Sequence, residues 1–377
     1  MYKVAIGWWT WELTQSTSWL GVVAFADTFP MVIMSIVAGV WADKYGYLLI
    51  IRLSQSVMVA AGFLIAYLAL TNELNILWIV VLTIFIGTAE AITAPARISL
   101  VHQLVPKTDL SAAIALNSAT YNLARFLGPT IAGALIVWVS IPSVIALSAG
   151  TFTIYFCALF FITVRHFENQ ESSNSSMFRD FIDGLKYVRG HSGILFLLFL
   201  LAVTALLIRP YIDLLPGVSE KFFSSGAEGL SVLLAATGLG ATMSGLWLAQ
   251  RGRTEGLTGI FALSLIISAV AILFFTISRS IWLGTALAGI LGFSIISGAI
   301  TGQTLIQNAV EATVRARIIS LTIMLAWGLP AVGALVMGWI AEYLGLALTL
   351  GLGGTLTILL WLWAKTNIKR MALILES

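Results

Sequence analysis

Apolar runs of about twenty residues follow one another along nearly the whole chain, each long enough to cross a hydrocarbon layer roughly 30 Å thick. The run from Leu257 to Ser278 contains no charged residue. Across all 377 residues 59% are hydrophobic and 10% charged, against roughly 45–50% and 25% in a soluble domain. A soluble fold could not hide so much apolar surface, so the chain is expected to be an all-α polytopic membrane protein. Polar or Gly/Pro-marked breaks delimit twelve spans, near 1–14, 18–41, 47–69, 75–97, 110–139, 142–164, 192–216, 227–249, 255–278, 281–305, 315–340 and 342–365. The spans fall into two six-helix halves, 1–164 and 194–368, joined by a linker over 165–193 and followed by a tail over 369–377.

The linker is polar, and its second part places Phe178, Phe181, Ile182, Leu185 and Val188 at helical spacing opposite Arg179, Asp180, Asp183, Lys186 and Arg189. That pattern predicts a short amphipathic helix lying at a membrane surface. Alternating the spans puts fifteen of the twenty Lys and Arg residues on one side, leaving Lys3, Arg125, Arg209, Lys221 and Arg279 as the five that do not fit. The majority side is cytoplasmic by the positive-inside rule, which places the linker and the C-terminus there. The net charge of +3 is thus spread over loops, and no nucleic-acid partner is expected. One cysteine, Cys157, excludes an internal disulfide or thiolate metal site.

The two halves echo each other. Gly39-Val40-Trp41-Ala42-Asp43-Lys44-Tyr45-Gly46 recurs 206 positions later as Gly245-Leu246-Trp247-Leu248-Ala249-Gln250-Arg251-Gly252. Val105, Thr108, Leu116, Gly128 and Gly133 recur 205 positions later as Val310, Thr313, Leu321, Gly333 and Gly338. Two parallel half-copies in a membrane protein point to a transporter whose site lies near the bilayer midplane. The first run offers only about 14 residues where roughly 20 are needed. The chain therefore reads as starting inside its own first span, through either a late-assigned start or a shortened copy. No basic segment followed by a small-residue cleavage site is present, and no signal peptide is expected.

Gly39 to Gly46 resembles the loop signature of the major facilitator superfamily, with Gly39, Asp43, Lys44 and Gly46 matching in order. The resemblance implies that Asp43 latches the outward-facing state. The physical means is an anion at a helix end, pairing with basic side chains and with a neighbouring helix start. Tyr47 and Leu48 stand where that family has further basic residues, and Ala249 replaces the acid in the second copy. Leu104 to Leu110, Ala115 to Ser118, Asn122 to Gly133 and the linker run Phe178 to Arg189 are similar to the branch of that superfamily containing the bacterial enterobactin exporter. Gly128, Pro129 and Gly133 are close to the fifth-span motif of its antiporters, with Ala132 in place of a glycine. The resemblance implies an exporter in a bacterial cytoplasmic membrane, working by alternating access as a monomer.

An ionisable group at mid-depth costs at least about 2.5–3.5 kcal/mol and normally faces a cavity. At 1.5 Å per residue, Asp27 lies about 12 Å into the second span and Arg125 about 20 Å into the fifth, both near the middle; Glu90 sits lower in the fourth. Proton coupling would then fall to Asp27 or Glu90, with Arg125 as counter-ion or anion contact. The alternative for Asp27 is a local pair near Pro30, and for Glu90 a structural pair with Arg97. Arg209 and Asp213, four apart, are expected to form an intrahelical pair or a gate. Trp327, beside Gly328 and Pro330, is a candidate substrate contact.

No Gly-x-x-x-x-Gly-Lys-Ser/Thr loop and no Gly-x-Ser-x-Gly elbow occurs, which argues against an ATP-driven pump or a lipid enzyme. No cofactor or metal is expected. The leading reading is a secondary transporter that exports a small amphiphilic molecule against inward proton movement. A transport-inactive homologue or scaffold is the alternative.

Overall fold

The computed structural model describes residues 1–106, 108–163, 177–311 and 314–376. Its first half is built from α1 (Tyr2–Thr14), α2 (Thr17–Thr28), α3 (Pro30–Tyr45), α4 (Tyr47–Leu70), α5 (Ile76–Leu104), α6 (Leu110–Trp138) and α7 (Ile141–Ala158). The amphipathic segment is α8 (Met177–Gly190). The second half follows as α9 (Ser192–Leu207), α10 (Leu215–Phe223), α11 (Gly226–Arg251), α12 (Leu257–Ile277), α13 (Ile281–Ala309), α14 (Arg315–Leu344), α15 (Leu346–Lys365) and α16 (Ile368–Leu375). Ten candidate spans among the described residues are long and apolar enough to cross a membrane. The 13-residue α1 and α6, whose apolar part is Leu127–Trp138, stand where the other two expected spans were placed, both shorter in apolar length than a full crossing.

Two spans are broken rather than straight, each at a proline that has no N–H to donate. The second span divides into α2 and α3 at Pro30, which occupies the first turn of α3. The seventh, read from the sequence as one helix over 192–216, ends at Leu207; a tight turn over Arg209–Ile212 contains Pro210, and α10 restarts with Pro216 in its first turn. The loop copies share one backbone device: Gly46 has φ 90° and Gly252 φ 59°, values an L-residue adopts only with strain.

The chain forms two compact units, Met1–Gln15 with Val22–Asn174, and Ser16–Gly21 with Ser175–Ser377. Within the first, α3 packs on α5, α5 on α4, and α4 on α7. Within the second, α11 packs on α13, α13 on α12, and α12 on α15, which is the same order of spans. Likewise α1 meets α6 and α7 as α9 meets α14 and α15. Duplication in the sequence is thus duplication of packing.

The α11/α13 contact is backbone on backbone. A Cβ built at Gly240 would fall on the Gly289 carbonyl, and one built at Gly292 would fall on the Thr237 carbonyl. With little hydrophobic driving force between helices in lipid, such close approach supplies the dispersion contact that holds them.

The tail after α15 is not extended. Ile368–Leu375 forms α16, whose Met371 and Leu375 are buried in a cluster with Ile194 of α9, Leu257 of α12 and Val188 of α8. Both oxygens of Glu376 accept backbone N–H groups, from Gly256 and Thr258 at 2.7 Å each, and so cap the start of α12. Burial by itself would raise the Glu376 carboxyl, but these hydrogen bonds, with Arg251 nearby, hold it below the usual carboxylate range.

Candidate functional site

The first unit gathers charge around Asp27. Pro30 cannot donate to Ala26, and the carbonyls of Ala26 and Asp27 lie against Gly87 of α5, where a Cβ would strike the Asp27 carbonyl. Gly87 therefore lets α5 approach the bend, and Glu90 stands one turn further along the same helix. Lys3 of α1 reaches both acids: its Nζ is 2.6 Å from Asp27 Oδ2 and 3.7 Å from Glu90 Oε2. The first distance is a charge-assisted hydrogen bond and the second a looser Coulomb contact. The Asp27 side chain is 9% exposed against 52% for Lys3. The other carboxylate oxygen, Oδ1, is buried with no hydrogen-bond partner among the described residues.

Lys3 was set aside in the sequence as an orientation outlier, although its depth matches that of Asp27. It lies eleven residues before the end of α1 and Asp27 ten residues after the start of α2, about 16 and 15 Å from the turn joining them. The two antiparallel neighbours thereby bring opposite charges to one level. Arg125, expected as the counter-ion, lies on α6 with its side chain outside the described residues.

The second unit places a cation at another proline. Pro330 inside α14 leaves the Ala326 carbonyl without its helical donor. Arg209 Nη1 donates to that oxygen at 2.6 Å and replaces the missing bond. Arg209 sits in the turn at Pro210 rather than inside a continuous helix, and Asp213, just after that turn, is exposed. Trp327, half-buried, is the next residue along α14. Gly333 admits α9 closely, since a Cβ there would meet the Leu206 carbonyl and Pro210.

In the loop signature, Gly39 lies within α3, Lys44 is exposed in its last turn with Nζ 5.2 Å from the Tyr45 ring centroid, and the Asp43 side chain lies outside the described residues. Gly128 and Pro129 are half-buried in α6, and Gly133 is buried.

A family model described as "Transmembrane secretion effector" matches residues 1–372. The chain belongs to this family of the major facilitator superfamily. It is a multi-pass membrane transporter and not an enzyme. The transporter is 24% identical over 367 residues to the staphyloferrin A transporter of Staphylococcus aureus, covering 94% of this chain and 89% of that one. It is 21% identical to macrolide efflux protein A of Streptococcus pyogenes (94% and 89% covered) and 22% to the multidrug efflux pump Tap of Mycolicibacterium fortuitum (92% and 86% covered). Solved structures that share its fold include the nucleoside transporter NupG, with TM-score 0.71, 13% identity and 98% and 96% coverage. Another is the inward-open xylose transporter XylE from E. coli, with TM-score 0.68, 11% identity and 96% and 92% coverage.

Proposed function

We propose that this transporter is a proton-coupled exporter of a small amphiphilic molecule, resident in a bacterial cytoplasmic membrane with its central linker and C-terminus on the cytoplasmic side. The observation that carries the reading is Asp27: a carboxylate at mid-depth, nine-tenths buried, with one oxygen on Lys3 and the other without a donor among the described residues. A buried charge is costly unless fully paired, so the free oxygen is a place for a proton or for a donor group of the substrate. Occupancy by one excludes the other, which is the elementary requirement of exchange. Glu90, looser and more exposed at the midpoint of α5, offers a second acid beside the same lysine for a proton relay. Export as the direction draws on relatives whose names give macrolide and multidrug efflux; siderophores and drugs of amphiphilic character are the substrate classes to try first.

The test is accumulation of a fluorescent amphiphile by everted vesicles carrying the full chain, energised by a pH gradient. Uptake that collapses with the gradient and is lost in Asp27→Asn, with folding intact, is the expected result. Gradient-independent uptake, or an Asp27→Asn variant that exports normally, overturns the coupling assignment.

A further inference from the structure

Near the end of α14, the Glu342 Oε2 atom lies within hydrogen-bond reach of five donors from three consecutive residues. These are the Ser16 hydroxyl at 2.9 Å, the Thr17 N–H at 2.9 Å and hydroxyl at 3.0 Å, and the Ser18 N–H at 3.2 Å and hydroxyl at 3.3 Å. The Thr17 and Ser18 amides open α2 and have no partner inside that helix. A carboxylate there satisfies both and lies at the positive end of the helix dipole. The Thr17 hydroxyl is shared with the Gly338 carbonyl at 2.9 Å. Below this cap the backbones touch: a Cβ at Gly338 would meet the Thr17 carbonyl and Gly21, and one at Gly21 would meet the Ala334 carbonyl. Ser16–Gly21 belongs to the same compact unit as α14.

A contact made at a helix end by an exposed carboxylate is one that water can replace on either side. The cap differs in this from the backbone crossing beneath it at Gly21 and Gly338, which loses dispersion contact when parted. We propose that Glu342 is a releasable latch on the first turn of α2, closed in this structure and opened when the carrier turns its site to the outside. It would act at the opposite membrane face from the Gly39–Gly46 loop, so that the two ends are held by anion-to-helix contacts in alternate states. The inference rests on the transporter reading and on the orientation given above.

The experiment uses the full chain with Cys157→Ser, which removes the one native cysteine, and carries Ser18→Cys with Glu342→Cys. Bridging the pair with a short, reducible bifunctional thiosulfonate should cut transport at least about ten-fold, with recovery on reduction. Undiminished transport while bridged overturns the latch, because a contact that stays closed throughout the cycle tolerates a bridge. A second arm needs no transport: hydrogen exchange of Glu342→Gln against the unmodified chain. The Thr17–Trp19 amides should exchange at least about five-fold faster, and the amides over 43–47 about two-fold slower as the population shifts. A change confined to the first turn of α2 identifies a local cap only and overturns the proposal. If the unbridged protein moves no solute yet exchange changes at both ends, the latch stands and the exporter reading falls.

Discussion

Replacing Gly292 by alanine should separate α13 from α11, and Gly289 on the same helix supplies the control. A Cβ at Gly292 would fall on the Thr237 carbonyl, whereas at Gly289 the nearest atom is the Ala236 carbonyl oxygen at 3.5 Å, an ordinary contact. Both substitutions gain the same helix propensity, about 0.8–1 kcal/mol over glycine. That gain cancels when the two variants are compared, leaving the clash. Restoring a normal carbon–oxygen contact at Gly292 requires the backbones to part by roughly 1 Å, which also strips contact from the reciprocal Gly240–Gly289 crossing. Overpacking of this kind costs about 1–3 kcal/mol. For a unit of this size each kcal/mol moves the midpoint by about 2–4 °C, so Gly292→Ala should melt several degrees below Gly289→Ala. The assay is thermal unfolding of both purified variants in one detergent, followed by tryptophan fluorescence. Equal midpoints would refute the argument that backbone contact, rather than side-chain packing, holds this crossing.

Removing the Arg209 side chain with Arg209→Met leaves the Ala326 carbonyl without its substitute donor. The midpoint should fall by the equivalent of about 1–2 kcal/mol, with Arg209→Lys falling less, as thermal unfolding would report. Lys3→Met should destabilise the first unit by about 1–2 kcal/mol, discounted because Lys3 is 52% exposed, and the double variant Lys3→Met with Asp27→Asn should recover at least about half of that. A double-mutant cycle on denaturation midpoints checks the coupling. Glu376, held below the usual carboxylate range, contributes to docking of α16 while ionised. That contribution is full above the ordinary carboxylate value of about 4.5 and is lost as pH falls through the lower value it has in the folded chain. Proteolysis or hydrogen exchange of 368–376 should therefore quicken below about pH 4, and Glu376→Gln should flatten that dependence.

Much of the fold was legible because lipid leaves so few options. A span must be a helix of known length, so counting apolar runs placed the start of every long helix to within about four residues, though α5 runs seven residues past its expected end, and the Gly39–Gly46 echo announced the repeated packing order. The two broken spans were marked by Pro30 and Pro210, although the sequence reading carried the seventh span straight through. The tail over 369–377 was assigned no element because eight helical residues are too few for periodicity to speak. Only its burial against α9 and α12, and the Glu376 cap, make α16 a helix.

For the site the division is different. Asp27 and Glu90 stood out from the sequence alone, since an acid amid apolar residues is costly wherever its helix turns. Lys3 was set aside as an exception to the loop charges, and for Arg209 the sequence offered Asp213 but not the Ala326 carbonyl that it also reaches. Sequence by itself thus determined span number, duplication and depth, which depend on composition along one axis. Tertiary structure alone decided partners: that Lys3 meets Asp27, that Arg209 repairs the Ala326 carbonyl, and that Glu342 grips Ser16 to Ser18. Those choices depend on helix rotation and on approaches permitted by Gly87, Gly333 and Gly338, whose consequences appear only when a second backbone is present.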